Sequence, residues 1–123
     1  MNFNKRLRIA KNNHEWSNGI GTALFLSGIL EKDKFIWPYE AQDYLRCLDI
    51  IEKPKRHCLI VIKDKYGVNH MGIVYKIEPM RIIHRDGGGG LLKGNVPLDE
   101  FLNEYNPGSY IIEYYLPDVD CLC

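Results

Sequence analysis

The hydrophobic pattern changes character twice along the chain. After the polar stretch Asn12-Asn13-His14-Glu15, the run from Ile20 to Leu30 is almost wholly apolar, with Ile20, Ala23, Leu24, Phe25, Leu26, Ile29 and Leu30. Its Ala and Leu content favours a helix, and Ser17 or Asn18 is placed to cap the first amides. A helix that is apolar on most sides is a buried one. Pro38 opens a second, amphipathic helix carrying Ala41, Tyr44, Leu45 and Leu48. From Cys58 the period shortens. Cys58-Leu59-Ile60-Val61-Ile62 reads as a central strand, and a turn at Lys65-Tyr66-Gly67 leads into a second, His70 to Tyr75. Pro79 to His84 makes a third strand. A short strand near Leu91-Leu92, a helix opened by Pro97, and a last strand from Ser109 to Tyr115 complete the pattern. Helices first and a mostly antiparallel sheet after them define an α+β chain.

The remaining features narrow this picture. At 123 residues the chain suits one domain over 1–123, with residues 1–14 as a basic N-terminal arm and 117–123 as a C-terminal tail. The arm (Lys5, Arg6, Arg8, Lys11) reads as a solvated segment or a short edge strand. It lacks the apolar stretch of a Sec signal peptide, which leaves a cytoplasmic location or export by another route. No apolar run reaches the ~18 residues of a membrane span. Sixteen acidic and sixteen basic side chains cancel, which argues against a nucleic-acid partner. Gly87 to Gly90 reads as a mobile loop without the Gly-Lys-Ser/Thr ending that cradles phosphate, and Gly19-Ile20-Gly21 lacks the third glycine of a dinucleotide fingerprint. Neither supports a nucleotide cofactor. His57, Cys58, Cys121 and Cys123 match no common zinc spacing, so no metal is expected.

The chemistry concentrates on two histidines. A three-residue turn of Lys76, Ile77 and Glu78 would pair Tyr75 with Pro79, Val74 with Met80, Gly72 with Ile82 and His70 with His84. Directly opposed residues have Cβ atoms ~4.5–5.5 Å apart, close enough for one imidazole to orient the other. Gly72, on the same face as His70, would leave space above the strand. Such a pair needs a nucleophile to become a hydrolase. A helix N-terminus is the natural place for a thiolate, because backbone amides and the helix dipole lower its pKa. The start of the buried helix, Asn18-Gly19-Ile20-Gly21-Thr22, offers that position.

Here the chain resembles a family. The segment Asn18 to Leu30, the block Asn69-His70-Met71-Gly72-Ile73-Val74 and the closing Ile82-Ile83-His84 look like the three blocks of the NlpC/P60 cysteine peptidases, over roughly residues 15 to 116. The resemblance implies a papain-like fold, with N-terminal helices packed on the sheet, and cleavage of peptide or amide bonds, typically in cell-wall peptides. It makes His70 the general base and His84 the orienting residue. The family's nucleophilic Cys falls on Gly19, which has no side chain to attack with. Three explanations are open: a member that binds rather than cuts, a substituted cysteine, or a nucleophile elsewhere. For the last, Ser17 would need a stronger base. Cys47 and Cys58 read as inert core thiols, and Cys121 lacks a following helix.

The expectation is therefore an NlpC/P60-like cysteine peptidase or amidase, inactive as written, acting on a peptide or peptidoglycan-like substrate. A non-catalytic peptide or glycopeptide binding module and a papain-like acyltransferase or thioesterase are the alternatives. Trp16, Ser17, Asn18 and Trp37 are candidate substrate contacts, the two tryptophans being either groove-lining or core aromatics. Arg85 and Asp86 read as solvated charges beside the glycine loop, with Asp86 placed to meet a charged substrate end.

Overall fold

The computed structural model describes residues 2–86, 90–103 and 105–117. Among these residues four helices, α1 (Phe3–Lys11), α2 (Gly19–Leu26), α3 (Pro38–Leu45) and α4 (Leu98–Phe101), accompany six strands. These are β1 (Asp49–Ile51), β2 (Leu59–Asp64), β3 (Gly67–Lys76), β4 (Arg81–Arg85), β5 (Leu92–Pro97) and β6 (Ile111–Leu116). They form one sheet in the order β1-β6-β2-β3-β4-β5, and every pairing is antiparallel. The chain is α+β, as its patterning predicts. No helix among the described residues is long and apolar enough to cross a membrane.

All eight residues of α2 are buried, and the Asn18 side chain caps it by accepting from the Gly21 amide at 2.9 Å. Leu24 and Phe25 pack with Leu59, Val61, Met71 and Ile73 in the larger core, on one side of the sheet. Ile60, Ile62, Val74, Ile82 and Val96 form a second cluster closed by Phe101. The strand at 58–62 is central in both senses: β2 lies between β6 and β3, and Leu59 to Ile62 are fully buried.

Several expectations are corrected. The N-terminal arm is neither solvated coil nor a strand but the helix α1. Asn2 caps it by accepting from Lys5, Ala10 is fully buried, and Phe3 and Leu7 pack against the core. Apolar residues at 3, 7 and 10 follow the helical period, which the run of basic residues between them hides. β1 was not legible, since three residues at a sheet edge carry almost no periodicity. β5 runs well beyond Leu92, whereas the helix opened by Pro97 is only one turn. Cys47 is exposed in the turn after α3, not a core thiol; Cys58 is buried, and burial pushes its thiol pKa up. Gly87 to Gly89, the tail from 118 onward and with it Cys121 and Cys123 lie outside the described residues.

The β3–β4 register is also corrected. Pro79 and Met80 belong to a four-residue turn, Ile77 to Met80, and a bulge follows Val74. The observed partners are Ile73 with Ile83 and Val74 with Ile82, two residues away from the expected pairing. Continuing this register sets His84 level with Gly72 and makes His70 its diagonal neighbour. A slip of two preserves the face on which each side chain stands, whereas a slip of one would have separated the histidines.

Candidate functional site

His70 and His84 meet. His70 Nε2 lies 3.1 Å from His84 Nδ1, with the rings nearly perpendicular at 82°. Phe101 packs against both, its centroid 5.3 Å from His70 and 4.9 Å from His84. It also explains Gly72. A Cβ there would lie 2.9 Å from an Ile82 methyl and 3.1 Å from the Phe101 ring. The expected open space above the strand is filled by Phe101.

The other edge of the His70 ring faces the start of α2. A Cβ built on Gly19 would fall on that ring, 2.6 Å from Nδ1, and 2.8 Å from the Arg85 carbonyl oxygen. The two nitrogens of His70 therefore look at different neighbours: Nδ1 at position 19, Nε2 at His84. A thiol–imidazole–orienting-group arrangement divides its imidazole in the same way, but position 19 carries no nucleophile. As the ring and carbonyl stand, there is no room for a side chain at position 19. The first two amides of α2, those of Gly19 and Ile20, have no intrahelical acceptor, as at any helix start.

Burial and the neighbouring His84 hold the His70 pKa down at about 4, against a smaller opposing pull from Asp86. His70 is thus neutral at pH 7, able to accept at one nitrogen and donate at the other. A Nε2···Nδ1 bond between the rings itself demands that one of those nitrogens be unprotonated.

Two adjoining cavities share Asn69 and His70. One, of about 300 Å³, is walled by Asn18, Gly19, Ile20, Phe35, Trp37 and Pro38. The other, of about 240 Å³, is polar, with His84, Asp86, Lys93, Glu100, Asn103 and Tyr105 around Phe101. Asp86 forms an ion pair with Lys93 Nζ at 2.9 Å and lies 3.7 Å from His84 Nδ1, beyond hydrogen-bond reach.

The remaining candidates separate clearly. Trp16 and Trp37 are 61% and 48% exposed, which excludes the core reading. Trp16 stacks on Phe35 at 4.1 Å, and Trp37 meets Phe35 edge-on at 4.7 Å. Asn18 lines the aromatic cavity, but its side chain is committed to Gly21 and to both backbone groups of Ile36. Ser17 is buried and donates to Asp33 at 2.5 Å, so it presents nothing to a ligand. Neither Cys47 nor Cys58 lines either cavity.

Arg85 overturns its reading as a solvated charge. It is 6% exposed and pairs with Asp33 at 3.1 Å. It also donates to Thr22 Oγ1 and to the Ala10 and Gly90 carbonyls. Asp33 in turn accepts from Ser17 and Thr22. This node joins α1, α2, the loop after α2 and the end of β4 directly behind position 19. Sequence reasoning missed it, although alternation along Ile82-Ile83-His84 already puts residue 85 on the helix side of the sheet. Among the described residues, no group of three or more His, Cys, Asp or Glu is arranged to hold a metal ion. Compared with models of known families, with the curated proteins and with the solved structures, the chain matches none.

Proposed function

We propose that this protein is a non-hydrolytic binding module of NlpC/P60-like, papain-related design, which holds a peptide or glycopeptide in the cleft beside His70. One observation carries the reading: the His70 imidazole is set between position 19 and His84 as in a thiol hydrolase, yet position 19 is a glycine packed against that imidazole. The neutral His70, the Asn69 amide and the free amides at the α2 start supply donors and acceptors suited to a peptide backbone. Trp37 and Phe35 supply an apolar wall beside them. The packing of Gly19 favours binding over a latent hydrolase, because restoring a cysteine would displace both the ring and the β4 backbone.

The test combines binding with a gain-of-function variant. Soluble peptidoglycan fragments and short peptides are titrated into ¹⁵N-labelled protein, and the same ligands are assayed for cleavage. Chemical-shift changes confined to Asn69, His70, Trp37 and the start of α2, with no product, are expected. Gly19→Cys in a background in which Cys47, Cys121 and Cys123 are replaced by Ser, leaving buried Cys58 as the only other thiol, should react with iodoacetamide no faster than a free cysteine. Cleavage by the wild-type chain, or no shifts at the cleft with any of these ligands, overturns the reading. A Gly19→Cys protein that labels rapidly and cuts peptides would instead establish the latent hydrolase.

A further inference from the structure

A further cavity, independent of the histidine pair, lies where the start of α1 meets the end of α2 and the β1–β2 connection. It measures about 250 Å³ and is lined by Phe3, Arg6, Ser27, Arg56 and His57 among others, with no acidic residue among the described ones. Arg6 is fixed from behind. One of its terminal nitrogens donates to the Phe25 and Leu30 carbonyls, each at 2.8 Å, and its guanidinium lies 4.9 Å over the Phe25 ring. A guanidinium has five N–H donors. Those on Nε and on the other terminal nitrogen meet no acceptor among the described residues. Arg56 is exposed and has no carboxylate partner there either.

His57 forms one wall and is held rigidly. Its backbone adopts φ +70°, its amide donates to the Val74 carbonyl at 2.7 Å, and its ring stacks on Phe3 at 3.9 Å. A left-handed backbone at a residue other than glycine is uncommon and costs conformational energy. The Nε2 atom is buried without a hydrogen-bond partner. The result is two guanidinium groups, one of them immobilised, and an imidazole lining one cavity with no counter-charge among the described residues.

We propose that this cavity binds a phosphoryl group, with Arg6 and Arg56 as its guanidinium ligands and the stacked His57–Phe3 pair as a wall. Arginine's planar fork suits bidentate recognition of such an oxyanion. A phosphoryl group carries close to two negative charges at pH 7, which matches two guanidinium groups, whereas a carboxylate would neutralise only one. The site stands whether or not the cleft at His70 binds a peptide.

The charged groups that share the cavity with His57 are Arg56, on its own connection, and Arg6 of α1; Phe3, Leu26, Ser27, Gly28 and Pro117, the last following β6, complete the lining. Burial and the Arg56 charge both lower the His57 pKa, so a bound anion should raise it. Inorganic phosphate is titrated against sodium chloride of equal ionic strength, and the four histidines are followed by NMR at Cε1. The expected result is a saturable response of His57, an upward move in its midpoint at saturating phosphate, and no movement of His70 or His84. Arg56→Gln, at an exposed position, should melt like the wild type and weaken the response at least fivefold. Acetate should bind at least fivefold more weakly than phosphate. A His57 response no larger than chloride produces, or one unchanged in Arg56→Gln, overturns the site. Acetate binding as tightly as phosphate overturns the phosphoryl assignment.

Discussion

His84 and Arg85 are consecutive residues of β4, both almost fully buried, and they build opposite kinds of polar cluster on opposite faces of the sheet. Arg85 enters a closed network in which Asp33, Thr22, Ser17 and the Ala10 carbonyl satisfy one another. His84 enters an open one. Its partner His70 is neutral, uses Nε2 for the pair, and turns Nδ1 to Gly19, which lines the cleft and has no side chain to bond it. A saturated buried cluster stabilises a fold, while a cluster with capacity left over is what a ligand meets. The two faces thus differ in how far their polar groups are satisfied, more than in the residue types they use.

The sharpest way to break the comparison is to open the closed network. Asp33→Ala leaves the Arg85 guanidinium buried without its counter-charge, and removing one member of a buried pair costs about 3–5 kcal/mol. Urea denaturation should show that loss. A change below about 1 kcal/mol would mean that the Asp33–Arg85 node does not hold α1, α2 and β4 together.

On the other face the corresponding effect depends on pH. The His70 pKa is about 4 in the folded protein against 6.5 for an unperturbed imidazole. Between those values the unfolded chain binds more protons than the folded one, so stability falls as pH drops through 6.5 and levels off below about 4. A shift of this size corresponds to about 3 kcal/mol across the window. His57 acts in the same direction, so the diagnostic quantity is the difference between wild type and His70→Gln. The variant should lose most of the acid sensitivity between pH 7 and pH 4. Equal acid sensitivity in the two proteins would contradict a desolvated, unprotonated His70.

The contrast between the two faces also explains what could be read from the sequence. α2 and its Asn18 cap, α3 behind Pro38 and the central strand at 58–62 were legible, because local propensity and hydrophobic period agree with their burial there. The approach of His70 to His84 was legible for a less secure reason. The assumed turn was one residue too short and the bulge after Val74 unforeseen, yet the two-residue error kept both rings on one face. The Arg85 node was not legible, because its partners are gathered from residues 10, 22, 33 and 90, and only the tertiary fold brings those together. Gly72 was misread for the same reason: what fills the space above it is Phe101, from α4.

A smaller change tests whether the open face is packed as tightly as it is placed. In Gly19→Ala the added carbon meets the His70 ring and the Arg85 carbonyl oxygen, and overpacking of this kind costs about 1–3 kcal/mol. The ring is the easier of the two to move. Its displacement toward solvent should raise the His70 midpoint from about 4 toward its ordinary value of 6.5. NMR titration of the variant reads this directly. An unchanged midpoint with unchanged stability would show that Gly19 is not held by the imidazole, so that a cysteine could stand there without displacing it.

The smallest effect on stability should come from Trp16, which lines neither cavity but backs the cleft's aromatic wall, Phe35 and Trp37. Trp16 is 61% exposed and touches Phe35 and Trp37 with its ring, so Trp16→Ala removes a surface stack and no core volume. Aromatic pairs contribute about 0.5–1.5 kcal/mol beyond their buried area, and an exposed one belongs at the low end. If the platform serves a ligand, the same substitution should weaken peptide or glycopeptide binding at the cleft at least fivefold while the urea midpoint barely moves. A loss of more than about 2 kcal/mol with unchanged ligand affinity would place the tryptophan with Arg85 among the structural groups and shrink the open face to the histidines and the start of α2.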